Sequence, residues 1–449
     1  MIQEINGLTK IGENEIPFSF DKQKELIKLY TSSKPVTISD EVDTIIGEKY
    51  CFHSTGTVLF KLNIPLSILE FCDQISAVEY FIEDYEIGSR YTGMKLRFPE
   101  LDYFIPSANI AKVHESNIIF SRHKETKYNF SINFRNSIIS VSFNKSLETH
   151  ICVDTKTKTV SELSITFPET NDLEYISELY LSVRSFFVFV CNRQNIGLRG
   201  VTLIGKYPKK TIRERKIVDE LGDTRQKMFF SQKYLEPLED IKQLNKVPDS
   251  ALFASKLKEL FEMFFVENES DTAIADDSSI HASFKYRNLI DLKQSLHITA
   301  TFEKYVRTLL PTISSQSTLD FFKEINTLLD DYIEKANGKK KKKAKEFKKF
   351  LKPQISLDEK IIKVFNGYAS WKPLVPILSE WFGSNISELA IAARLWRNEL
   401  AHEKRELEPD QNTITAIRLV EHMNYCIVLR YAGYSDIEII EILSKVLTR

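Results

Sequence analysis

At 449 residues the chain is too long for one ordinary hydrophobic core, so two or three domains are expected. Its 43% hydrophobic and 27% charged residues are the make-up of a soluble globular protein, and 14 Gly with 14 Pro leave little room for low-complexity stretches. A formal net charge of −1 excludes a global field that draws in nucleic acid, so any such binding must rest on local basic patches.

The cysteines, Cys51, Cys72, Cys152, Cys191 and Cys426, are odd in number, scattered and never in a C-x-x-C pair. They predict neither a disulfide framework nor a zinc cage, and they point to a reducing, cytoplasmic setting. The start, Met1 to Asn6, lacks the basic and apolar pattern of a signal peptide. The most apolar run, Ser185 to Cys191, is far shorter than a bilayer requires, so no membrane partner is expected.

Up to about residue 205 the chain reads mainly as strands. Ala77 to Tyr85, Lys127 to Phe134 and Ser137 to Phe143 alternate apolar and polar residues and are rich in β-branched and aromatic types. Such alternation predicts an antiparallel sheet or sandwich with one buried and one wet face. One helix interrupts it, from about Asp172 to Val190, and a strand at Gly200 to Ile204 follows.

Residues 206–249 read as a polar, irregular linker with a basic stretch of Lys206, Lys209, Lys210, Arg213, Arg215 and Lys216. Two readings stand side by side: a solvated linker, or an RNA-contacting strap through Lys209, Lys210 and Arg213.

After Asp249 the period becomes helical. Ser250 is an N-cap candidate for a helix through Phe265, and a long helix should run from Phe284 to Leu310 and stop at Pro311. Another covers about Leu319 to Ala336, ending at Asn337-Gly338. Ser356 with Glu359 is a capping box for a helix to about Phe365. Ile386, Leu389, Ala390, Ala393 and Leu400 mark a further helix. One from about Asn412 to Tyr431 follows, broken at Gly433, and Ser435 with Glu438 caps the last. The fold class is therefore α+β and multidomain. A β-rich antiparallel domain with one main helix (1–205) and a linker (206–249) precede an all-α bundle (250–449).

Lys339, Lys340, Lys341, Lys342 and Lys343, followed by Lys345, Lys348, Lys349 and Lys352, are either a solvated, exposed insertion between helices or a phosphate-binding patch. Asp271, Asp276 and Asp277 sit in a polar loop and are read as solvated, so no metal site and no cofactor are predicted.

Arg397-Asn398-Glu399-Leu400-Ala401-His402 lies at the end of an amphipathic helix in the all-α region. An R-x-x-x-x-H spacing alone is a weak signal. Its setting, with Asn398 after the arginine and Ala401 before the histidine, resembles the HEPN superfamily. The β-rich half ahead of the helices, Phe302 to Arg307 on a long helix, and the helix–Gly433–helix ending look most like its ApeA-type anti-phage branch. The lysine run departs from that pattern.

The resemblance implies a homodimeric, metal-independent endoribonuclease that cuts tRNA or messenger RNA as a toxin-like effector in abortive infection. A phage-derived trigger would act on the β-rich half. Its composite site would use two copies each of Arg397, Asn398 and His402. The RNA 2′-OH would attack phosphorus, His402 would move protons, Arg397 would hold the phosphate, and Asn398 would orient either. On an ideal helix Arg397 and His402 are about 140° apart, so a long arginine or a loosening helix end must bring them together.

A bland reading competes: a helix-terminal salt-bridge cluster in which Arg397 pairs with Glu399 or Glu403. The protein would then be a non-catalytic dimerisation and RNA-docking module, or an antitoxin-like partner. Glu303 reads as structural support for the fold or the site. Arg418-x-x-x-His422 reads as a local pair, and Trp371, Trp381 and Trp396 as core or interface.

Overall fold

The computed structural model describes residues 4–11, 14–30, 44–51, 54–63, 74–75, 78–105, 111–114, 117–120, 125–150, 156–213, 216–231, 246–265, 279–281, 292–310, 316–350, 356–367, 380, 382, 385–401 and 408–447. They form two compact units, one made of Met1–Arg184 with Asn195–Ala251 and the other of Ser185–Gln194 with Leu252–Arg449. No helix among the described residues is long and apolar enough to cross a membrane.

The first unit is built on an antiparallel sheet of 13 described strands. Across it run Glu125–Phe134, Ser137–His150, Lys156–Thr170, Arg90–Leu96, Gly200–Arg213, Lys216–Phe230, Val78–Glu83, Ser54–Leu62, Thr44–Cys51, Glu4–Ile11, Asn14–Asp21, Leu26–Leu29 and Gln74–Ile75. The period-2 pattern is obeyed closely: Ile139, Val141 and Phe143 are fully buried while Ile138 faces water. Phe18, Phe20, Phe60 and Phe81 meet in a chain of mostly edge-on aromatic contacts at one part of the core. At Gly205 the strands approach so closely that a Cβ would lie 2.0 Å from the Arg90 carbonyl oxygen, so only glycine fits.

The described residues 206–213 and 216–230 of the expected linker are strands, and residues 232–245 lie outside the described residues. The segments 206–213 and 216–230 are the two arms of one long hairpin within the sheet. Its register sets Lys206 opposite Asp223, Lys209 opposite Glu220 and Lys210 opposite Asp219. Opposite charges facing across strands stabilise the pairing. Arg213, at the end of the arm, stands opposite Lys216. The high charge of both arms masks their strand period.

The second unit is helical: Leu257–Glu262, Leu292–Leu309, Gln316–Lys335, Gly338–Phe350, Leu357–Gly367, Ile386–Ala401, Gln411–Tyr431 and Asp436–Val446. The expected start at Ser250 is a 3-10 segment, Ser250–Lys256, ahead of the first of these. Residues 284–291 of the expected long helix lie outside the described residues, and Leu292–Leu309 is its described portion.

Ser185–Gln194, the end of the Leu173–Cys191 helix and the turn after it, belongs to this unit rather than to the β-rich one. Phe186 packs edge-on against Phe261, and Phe189 stacks on Tyr425. The Tyr425 hydroxyl, 2.9 Å from Asn192 Oδ1, secures the turn. Gly433 adopts φ +91° and stops Gln411–Tyr431, and Ser435 with Glu438 forms the expected capping box.

The lysine run from Lys339 to Lys349 forms a helix in its own right, Gly338–Phe350, between the two helices expected on either side of it. Gly338, at φ +59°, turns the chain back after Gln316–Lys335, and Lys348 pairs with Asp330 on that helix. Lysine is a good helix former and Ala344 gives the helix one buried point, but no apolar stripe advertises it.

Candidate functional site

Ile386–Ala401 buries Ile386, Leu389, Ala390, Ala393 and Trp396, at helical spacing, against the rest of its unit. Arg397, four residues after Ala393, continues that stripe, and Asn398 lies on its flank. Arg397 Nη2 donates to Glu303 Oε2 at 3.1 Å and Nη1 to Asn398 Oδ1 at 3.4 Å. Glu303 comes from Leu292–Leu309, where Phe302 and Val306 anchor the core and leave Glu303 beside them half-buried. Lys360, from Leu357–Gly367, donates to the other Glu303 oxygen at 2.7 Å.

One carboxylate thus sits between two cations from two other helices. A second ion pair, Arg394 to Asp358 at 3.1 Å, links the same two helices one turn away. Burial works to raise the Asp358 carboxyl, but the Ser356 hydrogen bond and the Arg394 charge outweigh it, and it lies below the usual aspartate range.

The Arg397 side chain remains 39% exposed although it is held. A guanidinium has five N–H donors in a planar fork, and these two contacts use only part of them. The arrangement can therefore present a fixed positive fork to an incoming phosphate. Arg397 reaches Glu303 on another helix rather than Glu399 on its own, and Glu403, the other expected partner, lies outside the described residues. His402 lies outside the described residues; of the three expected site residues, the structure brings together Arg397 and Asn398.

Lys339, Lys340, Lys342 and Lys343 are exposed and Lys341 half-buried on Gly338–Phe350, a helix different from the three around Arg397. Lys209 is exposed on the hairpin of the β-rich unit. The side chains of Lys210 and Arg213 are outside what is described, as are Asp271, Asp276, Asp277, Trp371 and Trp381. Trp396 is buried. Among the described residues no group of three or more His, Cys, Asp or Glu side chains could hold a metal ion.

A polar cluster missed by sequence reasoning lies inside the helical unit. Glu421 is buried between Arg418, 2.8 Å from Oε2, and His281, 3.2 Å from Oε1. Burial pushes the Glu421 carboxyl up, yet the hydrogen bond and charge of His281 and the charges of Arg418 and His422 bring it down to about 2. His422 also hydrogen-bonds the Arg418 carbonyl through Nδ1 at 2.8 Å, which is the local pair expected at this spacing. His281 gave no signal because its partners lie 137 and 140 residues away. Compared with known proteins, the chain matches no family model, no curated protein and no solved structure.

Proposed function

We propose that the helical unit is a HEPN-type endoribonuclease, of the ApeA-like kind that acts as a toxin-like effector in anti-phage abortive infection, with tRNA or messenger RNA as substrate. The observation that carries the reading is Arg397. It is partly exposed, fixed by Glu303 from another helix, and has Asn398 against it.

In the proposed reaction the RNA 2′-oxygen forms a bond to the adjacent phosphorus as the bond to the 5′-oxygen breaks. The products are a 2′,3′-cyclic phosphate and a 5′-hydroxyl. His402 takes the 2′-OH proton, a second His402 delivers one to the leaving oxygen, and Arg397 balances the charge that grows on the phosphoryl oxygens. The nucleophile is supplied by the substrate, so the route needs no bound metal and cannot cut DNA. A homodimer would place two such sets together. Ile391 and Leu395, one turn apart and 41% and 50% exposed on the same helix, form an apolar pair that a second copy would cover.

The same ion pair favours a second reading. Glu303–Arg397 clamps two helices, as it would in a non-catalytic RNA-docking module or an antitoxin-like partner. Total tRNA and a structured messenger RNA, incubated in EDTA with wild type, Arg397→Ala or His402→Ala, separate the two. Cyclic-phosphate ends from wild type alone support the nuclease. RNA cut equally by all three overturns it, and RNA retained but uncut by all three, with phage protection also unchanged, leaves the docking module.

A further inference from the structure

The β-rich unit carries a cleft of about 550 Å³ whose charge is unlike that of the chain as a whole. Lys95, Arg97, Arg199, Arg225 and Lys227 line it, and Glu162 is its one acidic side chain. The surplus of four positive charges is local, in a chain whose net charge is −1.

Strand geometry builds the cluster. Lys95 alternates with the buried Met94 and Leu96, and Arg225 and Lys227 alternate with the buried Gln226 and Met228, so the cations emerge on one face. The register places Thr202 between Lys95 on one neighbouring strand and Lys227 on the other, and Ile204 beside Arg225. Two strand spacings of about 4.8 Å therefore separate the Lys95 and Lys227 backbones by about 10 Å, within which long side chains can converge on one or two phosphates.

The cations fall into two sets. Lys95 and Arg97 are held by Glu162, through Oε1 at 2.9 Å and Oε2 at 2.8 Å. Glu162 is itself buried, so it holds both as a fixed pair. Arg199, Arg225 and Lys227 have no carboxylate partner among the described residues. Glu83, opposite Lys227 in the register, is engaged by Lys22. Clustered cations in a walled cleft raise the local potential and draw in anions. The volume is that of a small-molecule site. Beside the charges, Phe229 and Ile204 supply an apolar wall, so the matching ligand has both phosphates and a flat, less polar part.

We infer that this cleft binds a free nucleotide through its phosphates, with diphosphate preferred over monophosphate, Arg225 and Lys227 making the principal contacts. The site lies wholly in the β-rich unit and does not rest on the Arg397 reading.

Calorimetric titration of the full chain in EDTA with ADP, AMP, adenosine, inorganic pyrophosphate and a short single-stranded oligoribonucleotide tests it. ADP and pyrophosphate bind, AMP binds more weakly, and adenosine does not. Arg225→Ala and Lys227→Ala each weaken ADP by about tenfold or more, the loss of one charge-assisted hydrogen bond. Lys209→Ala, an exposed lysine outside the cleft on the same hairpin, leaves ADP affinity within about twofold. Both cleft substitutions are at exposed positions, and a thermal melt checks that each variant folds. No binding of ADP or pyrophosphate by wild type overturns the site. So does equal weakening by Lys209→Ala, or tighter binding of the oligoribonucleotide than of ADP.

Discussion

Arg397 donates to Glu303 at 3.1 Å across 94 residues of sequence, and Lys360 holds the other oxygen of the same carboxylate at 2.7 Å. Glu303 therefore sets where the Arg397 fork points. Glu303→Gln keeps the shape and removes the charge. The pair is partly exposed, so a stability loss of only about 1 kcal/mol is expected, read from urea unfolding. On the proposed reading RNA cleavage falls much more, by about tenfold or beyond, because the fork is no longer aimed. Cleavage unchanged in this variant would show that Glu303 does not position Arg397 for the reaction.

Arg397→Lys retains the positive charge and loses the planar fork. Cleavage should drop by about a hundredfold while RNA retention on a filter changes little, since one point charge still attracts phosphate. A Lys variant that cuts RNA as well as wild type would show that the reaction needs the charge and not the planar fork.

Below about pH 4.5 the helical unit should lose stability steeply. Glu421 titrates at about 2 in the folded protein against an ordinary 4.5. Its contribution is thus complete above about pH 4.5 and is lost as pH falls towards 2. The amount is on the order of 3 kcal/mol. Glu421→Gln should start less stable at pH 7 and show a flatter melting profile across that window. A wild-type profile in the variant would sink this account of the cluster.

Gly205→Ala should cost about 2–3 kcal/mol, because the new methyl meets the Arg90 carbonyl at 2.0 Å and backbone must move. Gly338→Ala is the comparison: it meets nothing within 4 Å, and only its φ of +59° opposes it, at about 1 kcal/mol. Chemical denaturation of the two variants measures the difference, and equal costs would contradict the close approach.

Replacing Lys339, Lys340, Lys341, Lys342 and Lys343 together by Gln should leave stability level or slightly higher, since neighbouring like charges on one helix repel. If these lysines touch RNA, the salt dependence of binding flattens, by about 0.7 in the logarithmic slope for each phosphate of a single strand that is no longer neutralised. An unchanged slope would mark the helix as a solvated hairpin only.

The features legible in the sequence are those that depend on neighbours in the chain. The alternation at Ser137 to Phe143, the Ser435–Glu438 capping box and the stop at Gly433 all rest on dihedral preference and hydrogen bonds within a few residues. Arg397 falls on its expected helix for the same reason. The lysine helix and the long hairpin escape such a reading because charge hides their periods. Cross-strand pairs such as Lys209–Glu220 make such a hairpin stable where its composition resembles a loop.

The sequence by itself determined a β-rich region followed by helices, most element boundaries in the second half, and the helix that carries Arg397. Only the tertiary structure decided that Glu303 and Lys360 meet at that arginine, that His281 reaches Glu421, and that cations from neighbouring segments gather in one cleft. Periodicity and capping are local and repeat along the chain. Ion pairs and clefts depend on which surfaces are buried together, and that is settled by the packing of segments far apart in sequence.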